Sequence, residues 1–324
     1  MPCEDAHLLR SIDPNRFFCV LSGNFKKGIA MSKSLLFIVN PRAGKKKSAA
    51  PLFEAISVFS SAGYVVFVHQ TQEQGDATEY VAQNGMNFDA IACCGGDGTL
   101  NETINGMMQL SEQPPLCYLP AGSTNDFAAS LHLSSDPETA AQAVVRNTPR
   151  KLDIGKFNHR LFAYIASFGA FTRASYSAPQ SAKNVLGHLA YILEGVKDLE
   201  SLRPYRVKVE ADGEVFDGEY LFGAVTNSTS VGGLMKINPA FVDMGDGKFE
   251  LLLVPLPKNL ADLQGLLDAA VRQNFASPHL IFRHVCHVTV QTKEDLPWSL
   301  DGEYAPSVPE VHIDNLHGAL DLFV

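Results

Sequence analysis

The sequence predicts two domains. Residues 34–150 are expected to form an α/β domain, a parallel sheet covered by helices on both faces. Residues 151–324 are expected to form a mainly antiparallel β domain, whose final strands could return toward the first domain. Strand-like and helical patterns alternate in the first half of the chain, strand-like runs dominate the second half, and three strands of the first half end in glycine turns. A length of 324 residues suits two domains that share a cleft.

The composition is that of an acidic globular protein. Apolar residues make up 46% of the chain and charged residues 19%, which is enough apolar material for cores. The net charge of −9 argues against nucleic acid as a partner and does not favour tight adsorption to an anionic membrane. No apolar run is as long as a membrane span, and the 6 cysteines are scattered without a CxxC pair, which indicates reduced thiols in a cytosolic protein.

Residues 1–33 differ from the rest of the chain. They mix proline, asparagine, glycine and charges without a period, and Glu4 and Asp5 stand where a secretory signal would carry basic residues. The first clear strand begins just after Met31. We therefore interpret residues 1–33 as a flexible tail or a misassigned start, and leave them out of the predicted fold.

The first half contains strands and helices in alternation, as in βαβ units. Apolar and β-branched runs predict strands, and helix-period patterns predict the helices between them. The predicted strands are residues 34–40, 64–71, 88–99 and 116–122, and the last two ranges include the turn that follows the strand. The predicted helices are residues 48–62, a helix from Asp76, 100–110 and 136–147.

The second half is dominated by strands, with two helical patterns. The predicted strands are residues 159–168, 205–228, 248–254, 287–292, 310–314 and 318–324. The predicted helices are residues 183–201 and 258–273. The helix over 258–273 has an apolar face that we expect to pack on the β domain rather than on lipid.

Three turns at strand ends share a composition that suits phosphate binding. They are NPRAGKKKS (40–48), GGDGTLNE (95–102) and PAGSTNDF (120–127). Loops at the carboxyl ends of parallel strands line a ligand crevice, glycines let the backbone approach an anion, and a helix N-terminus offers free N–H groups. Asp97 stands where a carboxylate could meet phosphates through Mg²⁺. None of the three turns is a Walker A loop.

These three motifs together resemble the catalytic domain of the diacylglycerol kinase and sphingosine kinase superfamily, and most of all the soluble bacterial lipid kinases. The resemblance covers about residues 34–324. It implies an α/β nucleotide-binding domain and a β-sandwich domain, with the active site in the cleft between them. It also implies an ATP- and Mg²⁺-dependent kinase that phosphorylates a lipid hydroxyl, with a diacylglycerol-like acceptor and a phospholipid such as phosphatidic acid as product.

The resemblance implies a role for each motif residue. Asn40, Pro41, Arg42, Ala43 and Gly44 would form the first nucleotide loop. Contacts with the nucleotide would also come from Thr71, Gly95, Gly96, Asp97, Gly98, Thr99, Leu100, Asn101, Glu102, Ser123, Asn125 and Asp126. The family more often has threonine where this chain has Ser123, a departure that keeps the hydroxyl group.

The tripeptide Asp-Gly-Glu occurs three times, at 212–214, 217–219 and 301–303. The first copy lies between alternating runs and predicts a hairpin turn, and the second is expected to begin the next strand. The third follows apolar and aromatic residues and matches the family's late DGE, which carries the general base. The resemblance therefore implies Asp301 as the base, with Glu303 as its partner or as the alternative base.

A second acidic turn, DMGDGKF (243–249), matches the structural Mg²⁺ site of the family. The resemblance implies Asp246 as the side-chain ligand, with Asp243 and Lys248 contributing through backbone oxygens. Asp97 would bind the Mg²⁺ that accompanies the nucleotide. Hard oxygen ligands in a short loop suit this ion, although an ordinary hairpin turn is the alternative interpretation.

Other features leave alternatives open. Lys45, Lys46 and Lys47 could hold phosphates, meet a membrane surface or be a solvated charge run. His284 and His287 lack a second ligand pair, so zinc is not expected there. The same glycine motif occurs in NAD kinases, but PAGSTNDF and the late DGE favour a lipid kinase. A nucleotide-binding or lipid-sensing module without catalysis is the alternative from another class.

The sequence does not identify the lipid. Diacylglycerol, phosphatidylglycerol, a sphingoid base and a polyprenol all present a hydroxyl beside apolar chains. We expect a cytoplasmic protein, peripheral to the inner face of the membrane, that touches the surface transiently through loops at the mouth of the cleft. The resemblance is also compatible with a homodimer.

Overall fold

A computed structural model of the chain describes residues 18–20, 33–43, 50–146, 148–169, 203–231, 235–272 and 274–324. Four strands of the N-terminal half run parallel in the order β3-β2-β4-β5, with β2 in register with both β3 and β4. This confirms the predicted parallel sheet. The first five strands are β1 (Phe18–Val20), β2 (Lys33–Val39), β3 (Tyr64–Gln70), β4 (Ala90–Gly95) and β5 (Leu116–Pro120).

Helices cover both faces of this sheet, because every second residue of the strands points to the same face. One core joins Phe37 and Ala92 to helices α1 (Ala50–Ser61) and α5 (Pro137–Arg146). The opposite core joins Ile38 and Cys93 to helices α2 (Asp76–Asn84) and α3 (Asp97–Met107). A short helix, α4 (Asp126–Ser130), follows β5.

Part of the predicted tail belongs to the sheet. Strand β1 pairs antiparallel with β3, with Cys19 opposite Phe67. Leaving all of residues 1–33 out of the fold was therefore wrong. The reason is that the edge of β3 has unpaired N–H and C=O groups, which a three-residue segment can satisfy without any recognisable period of its own.

The C-terminal half is built from antiparallel strands around its own apolar core. One path of paired strands runs β15-β9-β10-β8-β16-β17, and β13 and β14 extend from β10. Trp298, Phe168 and Phe249 lie in this core. The strands are β7 (Arg160–Phe162), β8 (Ile165–Gly169), β9 (Tyr205–Ala211), β10 (Glu214–Thr226), β11 (Ser230–Val231), β12 (Met235–Lys236), β13 (Phe249–Pro255), β14 (Ile281–Val285), β15 (His287–Thr292), β16 (Trp298–Leu300) and β17 (Glu303–Ala305).

Two long strands join the halves. Strand β6 (Arg150–Phe157) pairs antiparallel with β18 (Glu310–Phe323), and the end of β18 pairs in parallel with β5. The last residues of the chain therefore complete the first sheet. The two runs predicted over 310–314 and 318–324 are one strand, with an irregularity between Leu316 and Leu320.

Helix α6 (Leu260–Val271) packs on the β domain, as predicted. Leu263 and Leu266 are buried in the same core cluster as Leu252 and Val254 of β13, whereas Leu260 at its start is exposed. The helix predicted over 183–201 lies outside the described residues. Among the residues that the structure describes, no helix is both long and apolar enough to cross a membrane.

Candidate active site

The first two glycine motifs are joined by a hydrogen bond. Asn40 follows β2, and its Nδ2 donates to Oγ1 of Thr99 at 2.9 Å, while its Oδ1 accepts from the N–H of Arg42 at 2.9 Å. Pro41 and Arg42 are exposed. This places the start of the NPRAG loop beside the GGDGT turn. Gly44 and the three lysines that follow it lie outside the described residues.

The second and third motifs touch through their glycines. A Cβ atom on Gly122 would lie 2.5 Å from Cα of Gly96, so only glycine permits this approach. Gly96 is also the N-cap of α3 and provides no side-chain hydrogen bond to it, so the first N–H groups of the helix lack a side-chain cap. Gly95 and Gly98 flank this turn. An uncapped helix N-terminus that faces a crevice is a site for an anion.

Asp97 joins this turn to the third motif. Its Oδ2 accepts hydrogen bonds from Oγ1 of Thr124 at 3.2 Å and from the N–H of Asp126 at 3.3 Å. Its Oδ1 is buried without a hydrogen-bond partner. Burial raises the pKa of this carboxyl group, against the effect of its hydrogen bonds to residues 124–127. A buried carboxylate oxygen without a donor suits a cation.

Several predicted nucleotide ligands have their side chains engaged elsewhere. Leu100 is fully buried in the core. Asn125 has φ 52°, and its amide closes its own loop on the N–H and the C=O of Gly122. Glu102 accepts from the N–H of Gly75 at 2.9 Å at the start of α2. Burial raises its pKa, opposed by the N–H groups of residues 75 and 77.

Two other predicted ligands lie after strands of the first sheet, although Thr71 is buried. Thr71 follows β3, and its N–H donates to the C=O of Val39 at 2.9 Å, which holds the two parallel strand ends together. Ser123 is exposed on the third loop. The carboxyl ends of β2, β3, β4 and β5 thus converge on one edge of the sheet, where a doubly covered sheet binds its ligand.

The opposite side of the crevice presents Asp301, in the turn between β16 and β17. Its side chain is 5% exposed although it is charged. Three backbone N–H groups of β7–β8 and one side-chain amide donate to its carboxylate. The four hydrogen bonds are from Ala163 N at 2.6 Å, Tyr164 N at 3.0 Å, Ile165 N at 3.0 Å and Asn101 Nδ2 at 2.7 Å.

The hydrogen bond from Asn101 connects the two halves of the molecule, because Asn101 lies on α3. Burial raises the pKa of Asp301 to about 6, and the four hydrogen bonds oppose this shift. Tyr164 lies beside it, and its pKa is raised well above its usual value by burial and by the charge of Asp301. Asp301 is therefore ionised at neutral pH and can accept a proton in a weakly acidic range.

Glu303 lies at the rim of the same crevice. Its Oε1 would be 3.8 Å from a Cβ atom on Gly98, so it faces the first turn of α3. Arg160 of β7 donates to the C=O of Tyr304 at 3.1 Å, and its guanidinium is 3.9 Å from Oε2 of Glu303. Both predicted carboxylates of the late DGE therefore reach the crevice, one buried and one at its surface.

The turn predicted to bind a metal ion is held by hydrogen bonds within the turn and to Asp153. Asp246 Oδ1 accepts from the N–H of Lys248 at 2.9 Å, and Asp243 is paired with Arg150 and is exposed. Gly247 donates its N–H to Asp153, a fully buried carboxylate of β6. Within the described part of the chain, no group of three or more His, Cys, Asp or Glu side chains could hold a metal ion. Any ion here would need backbone oxygens.

Sequence reasoning missed Asp153 and Arg160. Asp153 accepts four hydrogen bonds, from Gly247, Gly318, Asn315 and His317. The signal for it was an aspartate inside the apolar run LDI, because a charged residue in a buried strand requires donors. His284 and His287 bind different partners, the C=O of residue 241 and the carboxylate of residue 314.

The other two Asp-Gly-Glu copies lie away from the crevice. Asp212 and Gly213 form the hairpin turn between β9 and β10, as predicted. The copy at 217–219 lies inside β10, which already begins at Glu214, so it does not begin a new strand. Asp217 forms an exposed ion pair with Arg206.

Comparisons with known proteins match both halves of the chain. A family model described as the diacylglycerol kinase catalytic domain matches residues 34–157, and one described as the YegS C-terminal NAD kinase beta sandwich-like domain matches residues 165–324. A diacylglycerol kinase of Bacillus subtilis (strain 168) is 37% identical over 280 residues, which are 86% of this chain and 92% of the relative. One of Staphylococcus aureus (strain MRSA252) is 33% identical over 296 residues, 90% of this chain and 93% of the relative.

A solved structure supports the fold alone. The crystal structure of a diacylglycerol kinase from Bacillus anthracis str. Sterne has a TM-score of 0.70 and 23% sequence identity, and the match covers 91% of this chain and 97% of that one. The family model and the curated relatives show the class of this protein, a phosphotransferase that acts on an alcohol group. Within that class, the chain belongs to the diacylglycerol kinase family, whose members are lipid kinases.

Proposed function

We propose that this protein transfers the γ-phosphoryl group of ATP to the hydroxyl of a diacylglycerol-like lipid, which gives phosphatidic acid. The observation that carries this proposal is the contact between the two halves. Helix α3 faces the crevice with an uncapped N-terminus at Asp97 and, one turn later, contacts the buried carboxylate of Asp301 from the other half. The proposed phosphate site, at the start of α3, and the proposed proton acceptor, which Asn101 of α3 contacts, are therefore one helical turn apart along this helix.

The nucleotide would be held by the strand-end loops of the first half. The N–H groups at the start of α3 suit the phosphates, and Asn40, Thr71 and Ser123 lie on the loops around them. Asp97 is the residue that fits a nucleotide-bound Mg²⁺, because its Oδ1 is buried without a donor. When bound, Mg²⁺ neutralises charge on the phosphates.

The turn over 243–248 would hold a second, structural Mg²⁺. Asp246 would supply a side-chain oxygen, and residues 243 and 248 would supply backbone oxygens. The donor set fits this hard ion, since the turn is rich in oxygen ligands and is braced by Asp153 beneath it. This ion would stabilise the turn and would take no part in phosphoryl transfer.

Asp301 is the proposed acceptor of the hydroxyl proton. A carboxylate can serve because the proton moves late, as charge leaves the nucleophile. All four lone-pair positions of Asp301 are engaged, and Asn101 is the single side-chain donor among its partners. The incoming hydroxyl would bond to Oδ2 as a further donor beside that amide, which stays in place. Glu303 is the alternative base, since it is accessible at the rim and faces the first turn of α3.

The test is phosphoryl transfer from ATP labelled at the γ-phosphate. The acceptors are diacylglycerol, phosphatidylglycerol, a sphingoid base and a polyprenol in mixed micelles, with NAD added because the second family model refers to NAD kinase. We expect labelled phosphatidic acid from the wild type, and a rate at least about a hundredfold lower from Asp301→Asn. Labelled NAD, or no labelled product from folded protein that binds ATP, would refute the proposal.

The proposed location is the cytoplasm, at the inner face of the membrane. A lipid acceptor requires contact with a membrane surface, and loops at the mouth of the cleft are the proposed contact. Liposome flotation with and without ATP tests this, and no flotation in either condition would refute it. A homodimer, proposed from the family alone, is tested by the mass of the protein in solution.

A further inference from the structure

Helix α3 carries a polar stripe that faces the crevice. Asp97, Asn101 and Asn105 are spaced by four residues and therefore lie on one face of the helix. Nδ2 of Asn101 donates to Oδ2 of Asp301 at 2.7 Å and, more weakly, to the C=O of Leu161 at 3.4 Å. Both acceptors belong to the C-terminal half of the molecule.

The orientation of the Asn101 amide is determined by its neighbours. Its Oδ1 accepts from Nδ2 of Asn105 at 2.9 Å, and the same Nδ2 donates to the C=O of Asn101 at 2.8 Å. A flipped amide would place its oxygen against the carboxylate of Asp301 and its NH₂ against another NH₂. The amide therefore has no donor left for a nucleotide phosphate, although the family motif placed Asn101 among the phosphate ligands.

We propose that Asn101 is a positioning residue for Asp301, held in place by Asn105, and not a ligand of the nucleotide. This inference rests on the proposed function. Asn101 is one turn from Asp97, or about 6 Å along the helix axis. The N-terminus of α3 would face the phosphates. The same helix, through Asn101, fixes the position of the Asp301 carboxylate relative to them.

The amide also has an electrostatic effect on Asp301. A hydrogen bond to an ionised carboxylate favours the ionised form, and Asn101 opposes the burial that raises the pKa of Asp301. The other titratable groups that face this region are Tyr164, just before β8, and, beyond it, Asp97, Asp126 and Tyr118. Glu303, Glu102 and Arg160 lie at the rim. They are the same in the variants below, so they do not account for a difference between them.

The kinetic test is the pH dependence of kcat in wild type, Asn101→Ala and Asn105→Ala, with Asn84→Ala as the matched control. The side-chain amide of Asn84, on α2, donates to the C=O four residues earlier in the helix, as the amide of Asn105 does on α3. We expect the acidic limb of Asn101→Ala to move up by about one pH unit, so that its activity loss is about fivefold greater at pH 6 than at pH 8. Asn105→Ala should move it less, and Asn84→Ala not at all.

Nucleotide binding separates this role from that of a phosphate ligand. The dissociation constant of a non-hydrolysable ATP analogue should change less than about twofold in Asn101→Ala. A tenfold weaker affinity with an unmoved acidic limb would overturn the proposal. An activity loss that is equal at all pH values would also overturn it, because a merely structural defect has that signature.

A second readout does not depend on catalysis. The loss of unfolding free energy in Asn101→Ala should be full above pH 7 and should diminish as the pH falls through about 6, because protonation of Asp301 removes the charge that the amide stabilises. A loss that is independent of pH would overturn the positioning role. If the wild type phosphorylates no lipid but this pH dependence is found, the proposed function fails and the positioning of Asp301 stands.

Discussion

Two Asp-Gly-Glu turns of this protein have the same sequence and the same backbone, yet one is at the surface and the other is in the crevice. Asp212 and Gly213 have φ angles of 45° and 90°, and Asp301 and Gly302 have 50° and 86°. Positive φ at both central residues is what a two-residue hairpin loop requires, and the Asp-Gly pair favours it. The tripeptide allows this turn but does not determine it, since the copy at 217–219 lies inside β10, and it does not determine the role of the turn either.

The two aspartates differ in what surrounds them. Asp212 is exposed and accepts two backbone N–H groups, from Cys286 and His287. Asp301 is buried and accepts three backbone N–H groups and the amide of Asn101. Both carboxylates thus join their turn to a neighbouring segment through hydrogen bonds. Asp301 differs from Asp212 in its burial, and in having a hydrogen-bond donor from the N-terminal half of the molecule.

The largest expected difference between the turns is in catalysis. Asp301→Asn should lower kcat by about a hundredfold to ten-thousandfold, because the proton acceptor is lost. Asp212→Asn should leave kcat unchanged, since this turn is remote from the crevice. The measurement is kcat for lipid phosphorylation by both variants under the same conditions.

Stability must be measured beside activity, because Asp301→Asn is not a silent change. Either orientation of the new NH₂ group faces two N–H donors, which should cost about 2 kcal/mol of unfolding free energy. The exposed Asp212→Asn should cost about 1 kcal/mol or less, because water can reach the turn. If Asp301→Asn remains folded, binds an ATP analogue and keeps its activity, Asp301 is a structural turn residue like Asp212.

The second expected difference is in the response to pH. Asp301 has a pKa of about 6, above its usual value, so kcat/KM should fall about tenfold per pH unit below 6.

A carboxyl group with a raised pKa binds a proton more tightly in the folded state, so its contribution to stability decreases as the pH rises from about 4 to 6. Over this range wild type should lose more unfolding free energy than Asp301→Asn. Parallel curves would contradict the raised pKa.

The first sheet was predictable because its signals are local. Apolar runs with glycine turns mark β2, β4 and β5, and the helices between them have a clear period. Strand β1 was not predictable, since three residues have no period and pair with β3 only in the folded chain. Strand β6 was missed for a related reason: Asp153 interrupts its apolar run, and the donors that allow this burial come from distant segments.

The site was predictable in its residue types but not in their partners. The motifs brought Asp97 and Asp301 to attention, and both lie at the crevice. No local pattern shows that Glu102 caps α2 or that Leu100 is in the core. The pairing of Asn101 with Asp301 joins residues 200 positions apart. Only the folded chain reveals it, because it depends on how the two halves meet.

A smaller difference is expected for the glutamates of the two turns. Glu303→Gln should lower kcat about tenfold, because it removes a charge that faces the first turn of α3. Glu214→Gln is the matched control, since Glu214 is paired with Arg283 on the exposed surface, and it should leave kcat unchanged. A loss in Glu303→Gln as large as that in Asp301→Asn would instead make Glu303 the base.

The smallest difference should be in the stability cost of the two turn glycines. A Cβ atom on Gly213 or Gly302 would meet nothing within 4 Å, so Gly→Ala at either site tests the positive φ alone. Each variant should lose about 1 kcal/mol of unfolding free energy. Denaturant titration of both proteins measures this, and kcat should fall only in Gly302→Ala. If the costs differed by more than about 1 kcal/mol, the two backbones would not be equivalent, and the contrast between the aspartates could no longer be assigned to their surroundings alone.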